Sequence, residues 1–164
     1  MKEISKSIIH TTVMSDDERY RFLLKRIWDK DKDNATLIML NPSKANLLNS
    51  DMTITNTMNY LIDKGFGSMT VVNLFPFMAT LPKDLVGHKE DFKMENNKFI
   101  TEACKNAGSI FVGWIRGENK NRIKEVEVIL REYSNKVYCF QDVKGIKPRH
   151  PRNITNKWTV HKYF

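Results

Sequence analysis

The chain has 164 residues, 41% hydrophobic and 28% charged, with a formal net charge of +8 and a pI near 9.5. That length and balance describe one globular domain able to bury a core, and they exclude a disordered chain. No apolar run approaches the ~20 residues of a membrane span, and Met1-Lys2-Glu3-Ile4-Ser5-Lys6 leads into no secretory signal, so a cytoplasmic protein with no membrane partner is expected.

Tyr20 to Trp28 is aromatic and aliphatic, and the polar turn Asp29-Lys30-Asp31-Lys32-Asp33-Asn34 follows. With the apolar run at 35–40 it predicts a β-hairpin and hence a mixed sheet. That run stops abruptly at Asn41-Pro42-Ser43. After a polar loop, Ile54, Met58, Leu61 and Ile62 fall at helical spacing, with Ser50 or Asp51 to cap the helix and Gly65 to end it. A second apolar strand, Met69 to Phe75, contains Asn73 and meets Pro76 at its exit.

A loop through Thr80, Pro82 and Gly87 leads to a helix from Asn96 to Ala107, with Phe99, Ile100 and Ala103 on its inner face. Ser109 to Trp114 reads as a strand. Glu118 to Tyr133 reads as an amphipathic helix through Ile123, Val126, Ile129 and Leu130. Lys136 to Phe140 is a further strand, and the tail from Lys157 predicts a short edge strand. Strands alternating with helices imply a single-domain α/β fold over 1–164, a three-layer α/β/α sandwich on a mixed, mainly parallel sheet.

Cys104 and Cys139 are isolated and His10, His88, His150 and His161 are scattered, so buried thiols in a reducing compartment are expected and a metal site is not. Phosphate loops, dinucleotide fingerprints and hydrolase elbows are absent, which implies no cofactor. The basic stretch Lys144 to Arg152 contains no acidic residue and favours a polyanionic partner, nucleic acid or nucleotide.

Ligands of open α/β sheets bind outside the carboxyl ends of the strands. Asn41 and Asn73 both fall there, and each amide donates and accepts, which suits the polar edge of a nucleobase. His150-Pro151 lies at another strand-to-loop exit. The candidate ligand-binding set is therefore Asn41, Ser43, Asn73, Phe75, Trp114, Arg149, His150 and Arg152. Phe75, Phe77 or Trp114 could stack on a base or sit in the core, and Asp51 is both a helix cap and a second-choice general base.

The segments Met39-Leu40-Asn41-Pro42-Ser43, Asp51-Met52-Thr53-Ile54, Val72-Asn73-Leu74-Phe75, Ala79-Thr80, Glu95-Asn96, Gly113-Trp114 and Arg149-His150-Pro151 together resemble a bacterial and phage family, domain of unknown function 1643, over residues 18–155. A weaker resemblance is to the uracil-DNA glycosylase superfamily, and it implies that superfamily's fold. It also implies catalytic roles: Asn41 positioning water, Asn73 reading the base edge and His150 acting as electrophile. Leu40 stands where those enzymes carry glycine, Arg152 where they carry serine, and no aromatic follows Pro42 closely. Two functions follow as expectations. One is N-glycosidic hydrolysis in nucleic acid. The other is non-catalytic capture of a free nucleotide or nucleotide-derived signal, in a phage setting. Oligomeric state stays open.

Overall fold

Local chemistry explains where each element of the computed structural model begins and stops; it describes residues 1–43, 51–80, 82–115, 117 and 119–164. The β-branched run before Ser15 forms β1 (Ile9–Met14), an edge strand that sequence reading passed over. A tight turn then reverses the chain, with Glu18 N–H donating to Ser15 O at 2.9 Å and Glu18 at φ 55°. β2 (Arg21–Ile27) returns antiparallel to β1, and Phe22 is the extra residue of a bulge, since Val13 faces Leu23 while Met14 faces Arg21.

The expected hairpin between 20–28 and 35–40 does not form. β4 (Ser68–Asn73) lies between β2 and β3 (Asn34–Met39), antiparallel to the first and parallel to the second. The polar turn after Trp28 straddles the start of β4 instead of folding β3 back. Trp28 and Asp29 N–H groups both donate to Gly67 O, at 3.0 and 2.9 Å, and Gly67 N–H donates to Asp33 O at 2.9 Å.

α1 (Met52–Asp63) starts where the Asp51 carboxylate accepts from Ile54 N–H at 2.8 Å, and ends before Gly65, whose φ of 87° turns the chain out. α2 (Lys93–Lys105), β5 (Ser109–Val112), α3 (Lys120–Arg131), β6 (Val137–Gln141) and β7 (Thr159–Lys162) follow the expected order, and β7 is the predicted edge strand. The candidate cap Ser50 and the candidate helix start Glu118 lie outside the described residues.

The sheet order is β1-β2-β4-β3-β5-β6-β7. Among the described residues three pairings are parallel, within β4-β3-β5-β6, and three antiparallel, made by β1, β2 and β7. The sheet is therefore mixed as expected but not mainly parallel, because the edge strands return by reversal and not by helical crossover. α1 covers one face, where Leu37, Met39, Ile54, Leu61 and Phe140 pack with Ile154 and Trp158. α2 and α3 cover the other through Ile100, Val126 and Leu130 against Ile38, Val72 and Ile110. Each such side chain contributes ~1.5–3 kcal/mol on burial. Cys104 and Cys139 are buried on this second side, and burial pushes the Cys104 thiol up to about 12. No helix of the described residues is long and apolar enough to cross a membrane.

This topology opens a crevice. From β3 the chain crosses by α1 to β4, and from β4 it returns past β3 by α2 to β5. The carboxyl ends of β3 and β5 therefore diverge to opposite faces, the place where such sheets bind ligands. Gly113, just past β5, donates its N–H to Ile38 O at 2.8 Å, and a Cβ there would lie 3.0 Å from Pro151 Cδ. A methyl group there would push Pro151 or the Met39 side chain back by a few tenths of an ångström, so glycine suits the close approach of the His150–Pro151 segment to this edge.

Candidate functional site

The residues singled out at the strand ends are committed to very different degrees. Asn41 is half-buried, and its amide nitrogen donates to Ala79 O at 2.7 Å and Pro42 O at 3.1 Å. The bond to Ala79 ties the loop after β3 to the loop after β4, and the bond to Pro42 stays within the first loop. Only the carbonyl end remains for another role. Asp51 has its Oδ1 on Ile54 N–H, and its Oδ2 accepts from Ser43 Oγ at 2.5 Å. Ser43 and Asp51 therefore brace the entrance to α1.

Asn73 differs. It ends β4 opposite Met39, is 2% exposed, and its Oδ1 is buried with no hydrogen-bond partner among the described residues. Its backbone carbonyl accepts from Asn96 Nδ2 at 2.9 Å, which anchors α2 to the strand end. The side chain lies on the α1 face, because Val71 and Met69, two and four residues earlier, pack in the α1-side core.

His150 caps a short 3-10 turn, Pro151–Asn153, its Nδ1 accepting from Arg152 N–H at 3.2 Å. That bond fixes the neutral ring's proton on Nε2. Burial lowers the His150 pKa below 6.5, Asp51 opposes the shift, and Arg152 and Arg149 add to it. His150, Trp114, Leu40 and Leu74 line a cavity of about 50 Å³ at the edge.

The aromatic candidates are mainly structural. Trp114 is buried and donates from Nε1 to Tyr163 Oη at 3.3 Å. Phe75 is buried beside a groove of about 550 Å³ that Lys89, Lys120 and Arg122 also line. Phe77 stacks on His88 with ring centroids 3.8 Å apart. Arg149 pairs with Asp142 at 3.0 Å, and exposed Arg152 accepts at its carbonyl from Asn56 Nδ2 at 2.9 Å, joining the turn to α1.

Sequence reading missed the buried cations. Arg21 and Arg26, 4% and 2% exposed, have pKa values lowered by burial and opposed by the charge of Asp51, and Arg26 further lowers Arg21. Arg26 stands two residues from Leu24, so it shares the inward face of β2. Charge at an inward strand position was the available signal. Thr53 and Thr57, one turn apart on the inner face of α1, add hydroxyls, and the Thr57 Oγ1 has no partner among the described residues.

The family profile described as Protein of unknown function (DUF1643) matches residues 21–152, which run from the first buried arginine to the turn that His150 caps. The chain belongs to that family. No curated protein and no solved structure matches it. The family's description assigns no activity, so every functional statement about this member of DUF1643 rests on its own residues.

Proposed function

We propose that this protein recognises a nucleotide at the carboxyl edge of its sheet, reads the base with Asn73, and holds the ligand without cleaving it. One observation carries the reading: the side-chain oxygen of Asn73, Oδ1, is buried at a strand end without a partner among the described residues. An orphaned buried acceptor costs ~1–3 kcal/mol, which a base amino or imino N–H would recover. The amide nitrogen beside it supplies the matching donor. A net charge of +8 favours a phosphate-bearing ligand over a bare base.

A second reading, N-glycosidic hydrolysis in nucleic acid on a uracil-DNA-glycosylase-like fold, draws on His150, whose neutral ring can donate from Nε2 to a departing base. That chemistry also needs a positioned water. The oxygen of Asn41 is the end left to hold one, and an amide oxygen is too weakly basic to take its proton, while both Asp51 oxygens are engaged by Ile54 N–H and Ser43 Oγ. Capture without cleavage is therefore preferred.

Titrating nucleosides, nucleoside monophosphates and cyclic dinucleotides into the wild type and Asn73→Leu tests the reading. Leucine is close in volume and removes the orphaned amide. Selective loss of base discrimination in Asn73→Leu is expected, by ~1–3 kcal/mol for an amide matched to a base edge. Equal affinities for both proteins across the panel would exclude Asn73 as the reader. Release of free base from uracil-containing DNA would favour the hydrolytic reading.

A further inference from the structure

Arg26 heads the fully enclosed side chains by volume, yet its Nε has no hydrogen-bond partner. No ion pair reaches it among the described residues. A guanidinium taken out of water without a contacting anion is strongly unfavourable. It lies on the inward face of β2, between Leu24 and Trp28, which both pack in the α1-side core. Thr57, wholly buried on the inner face of α1, presents a second orphaned polar atom on the same side of the sheet, and Asn73 on β4 presents a third. Three of the four buried side-chain atoms without a partner among the described residues thus lie on the α1 side of the sheet, the fourth being Asn96 Oδ1 on α2.

We propose that the layer between α1 and the sheet is an oxyanion site, in which Arg26 and the Thr57 hydroxyl bind a phosphoryl group and Arg21 adds positive charge. This assignment rests on the nucleotide reading above: the phosphate would belong to the ligand whose base Asn73 reads. Guanidinium groups match phosphate oxygens with two parallel N–H donors. The neighbouring carboxylate, Asp51, does not cancel the site. Its oxygens face Ile54 N–H and Ser43 Oγ, and one negative charge stands against two positive ones.

The test measures the thermal midpoint and binding isotherm of the full chain with inorganic phosphate, a nucleoside monophosphate, the bare nucleoside, acetate, and sodium chloride at matched ionic strength. Arg26→Met removes the charge at similar length, and Arg26→Lys keeps the charge without the fork. In the wild type, phosphate and the monophosphate raise the midpoint, while chloride and acetate do not. Arg26→Met melts no lower than the wild type without phosphate and loses the response, with affinity reduced at least about ten-fold. If Arg26→Met does not fold, Arg26→Lys decides: a ten-fold weaker phosphate affinity upholds the site and an unchanged one overturns it. A phosphate response no larger than that of chloride, or one retained in Arg26→Met, overturns it as well. Nucleoside binding without a phosphate response would sink this inference and leave the base reading standing, and the converse pattern would do the reverse.

Discussion

Replacing Asp51 by alanine and, separately, by asparagine divides its two contributions. The carboxylate caps α1 through Ile54 N–H at 2.8 Å and accepts from Ser43 Oγ at 2.5 Å. It is also the negative charge felt by Arg21, Arg26 and His150. Asparagine caps a helix about as well as aspartate, so Asp51→Asn keeps the cap and removes the charge, while Asp51→Ala removes both. The cap contributes ~1 kcal/mol, and the charge facing two buried guanidinium groups contributes ~1–2 kcal/mol more at an effective dielectric near 20. Asp51→Asn should therefore lose ~1–2 kcal/mol and Asp51→Ala ~2–3 kcal/mol, read by urea unfolding at neutral pH. For a chain of this size each kcal/mol moves the thermal midpoint by about 2–4 °C. The Asp51→Asn loss should persist in high salt, because buried charges are poorly screened. Wild-type stability in Asp51→Asn, or identical losses in the two variants, would refute the division.

Gly113→Ala should cost ~1–3 kcal/mol, because its Cβ would sit 3.0 Å from Pro151 Cδ and 3.2 Å from Met39 Cγ; an unchanged thermal midpoint would show that the edge is looser than described. His150 has a folded pKa below 6.5, so the unfolded chain binds more protons as pH falls under that value, and the contribution of the neutral ring is lost there. Between about pH 7.5 and 5 the wild type should thus lose more stability than His150→Asn in paired unfolding curves, and parallel losses would remove His150 from the account. Tyr20 donates to Asp91 Oδ2 at 2.5 Å and lies 3.3 Å from His88 Nδ1, with its phenol pushed up to about 12 by burial and then by Asp91. Tyr20→Phe should cost ~1–2 kcal/mol and speed amide exchange around His88 and Asp91; unaltered exchange would mean that this bond does not hold the segment.

The parts of the fold legible in the sequence are those that local chemistry decides. Asp51 and Gly65 bound α1 because a cap and a positive φ are requirements of single residues. The pairing of β2 escaped the reading because its partner is remote in the chain: Leu24 faces Val71, and nothing between Trp28 and Ala35 records that β4 will enter there. The site divides in the same way. Asn41 and Asn73 look alike in sequence as polar residues at strand ends, yet one is spent on Ala79 and the other is left with an orphaned oxygen. Arg26 shares the parity of Leu24 and was legible as an inward charge, whereas Arg21 lies five residues from Arg26 and beyond the bulge at Phe22, where simple alternation no longer assigns its face.

The most direct measurement is calorimetric titration of the wild-type chain with a nucleotide panel at low salt, followed by denaturation and mass spectrometry of the recovered ligand. Binding of at least one nucleotide, weakened in Asn73→Leu and recovered chemically intact, is the predicted result. No binding at millimolar nucleotide, or recovery of free base in place of the ligand supplied, would contradict capture at the carboxyl edge.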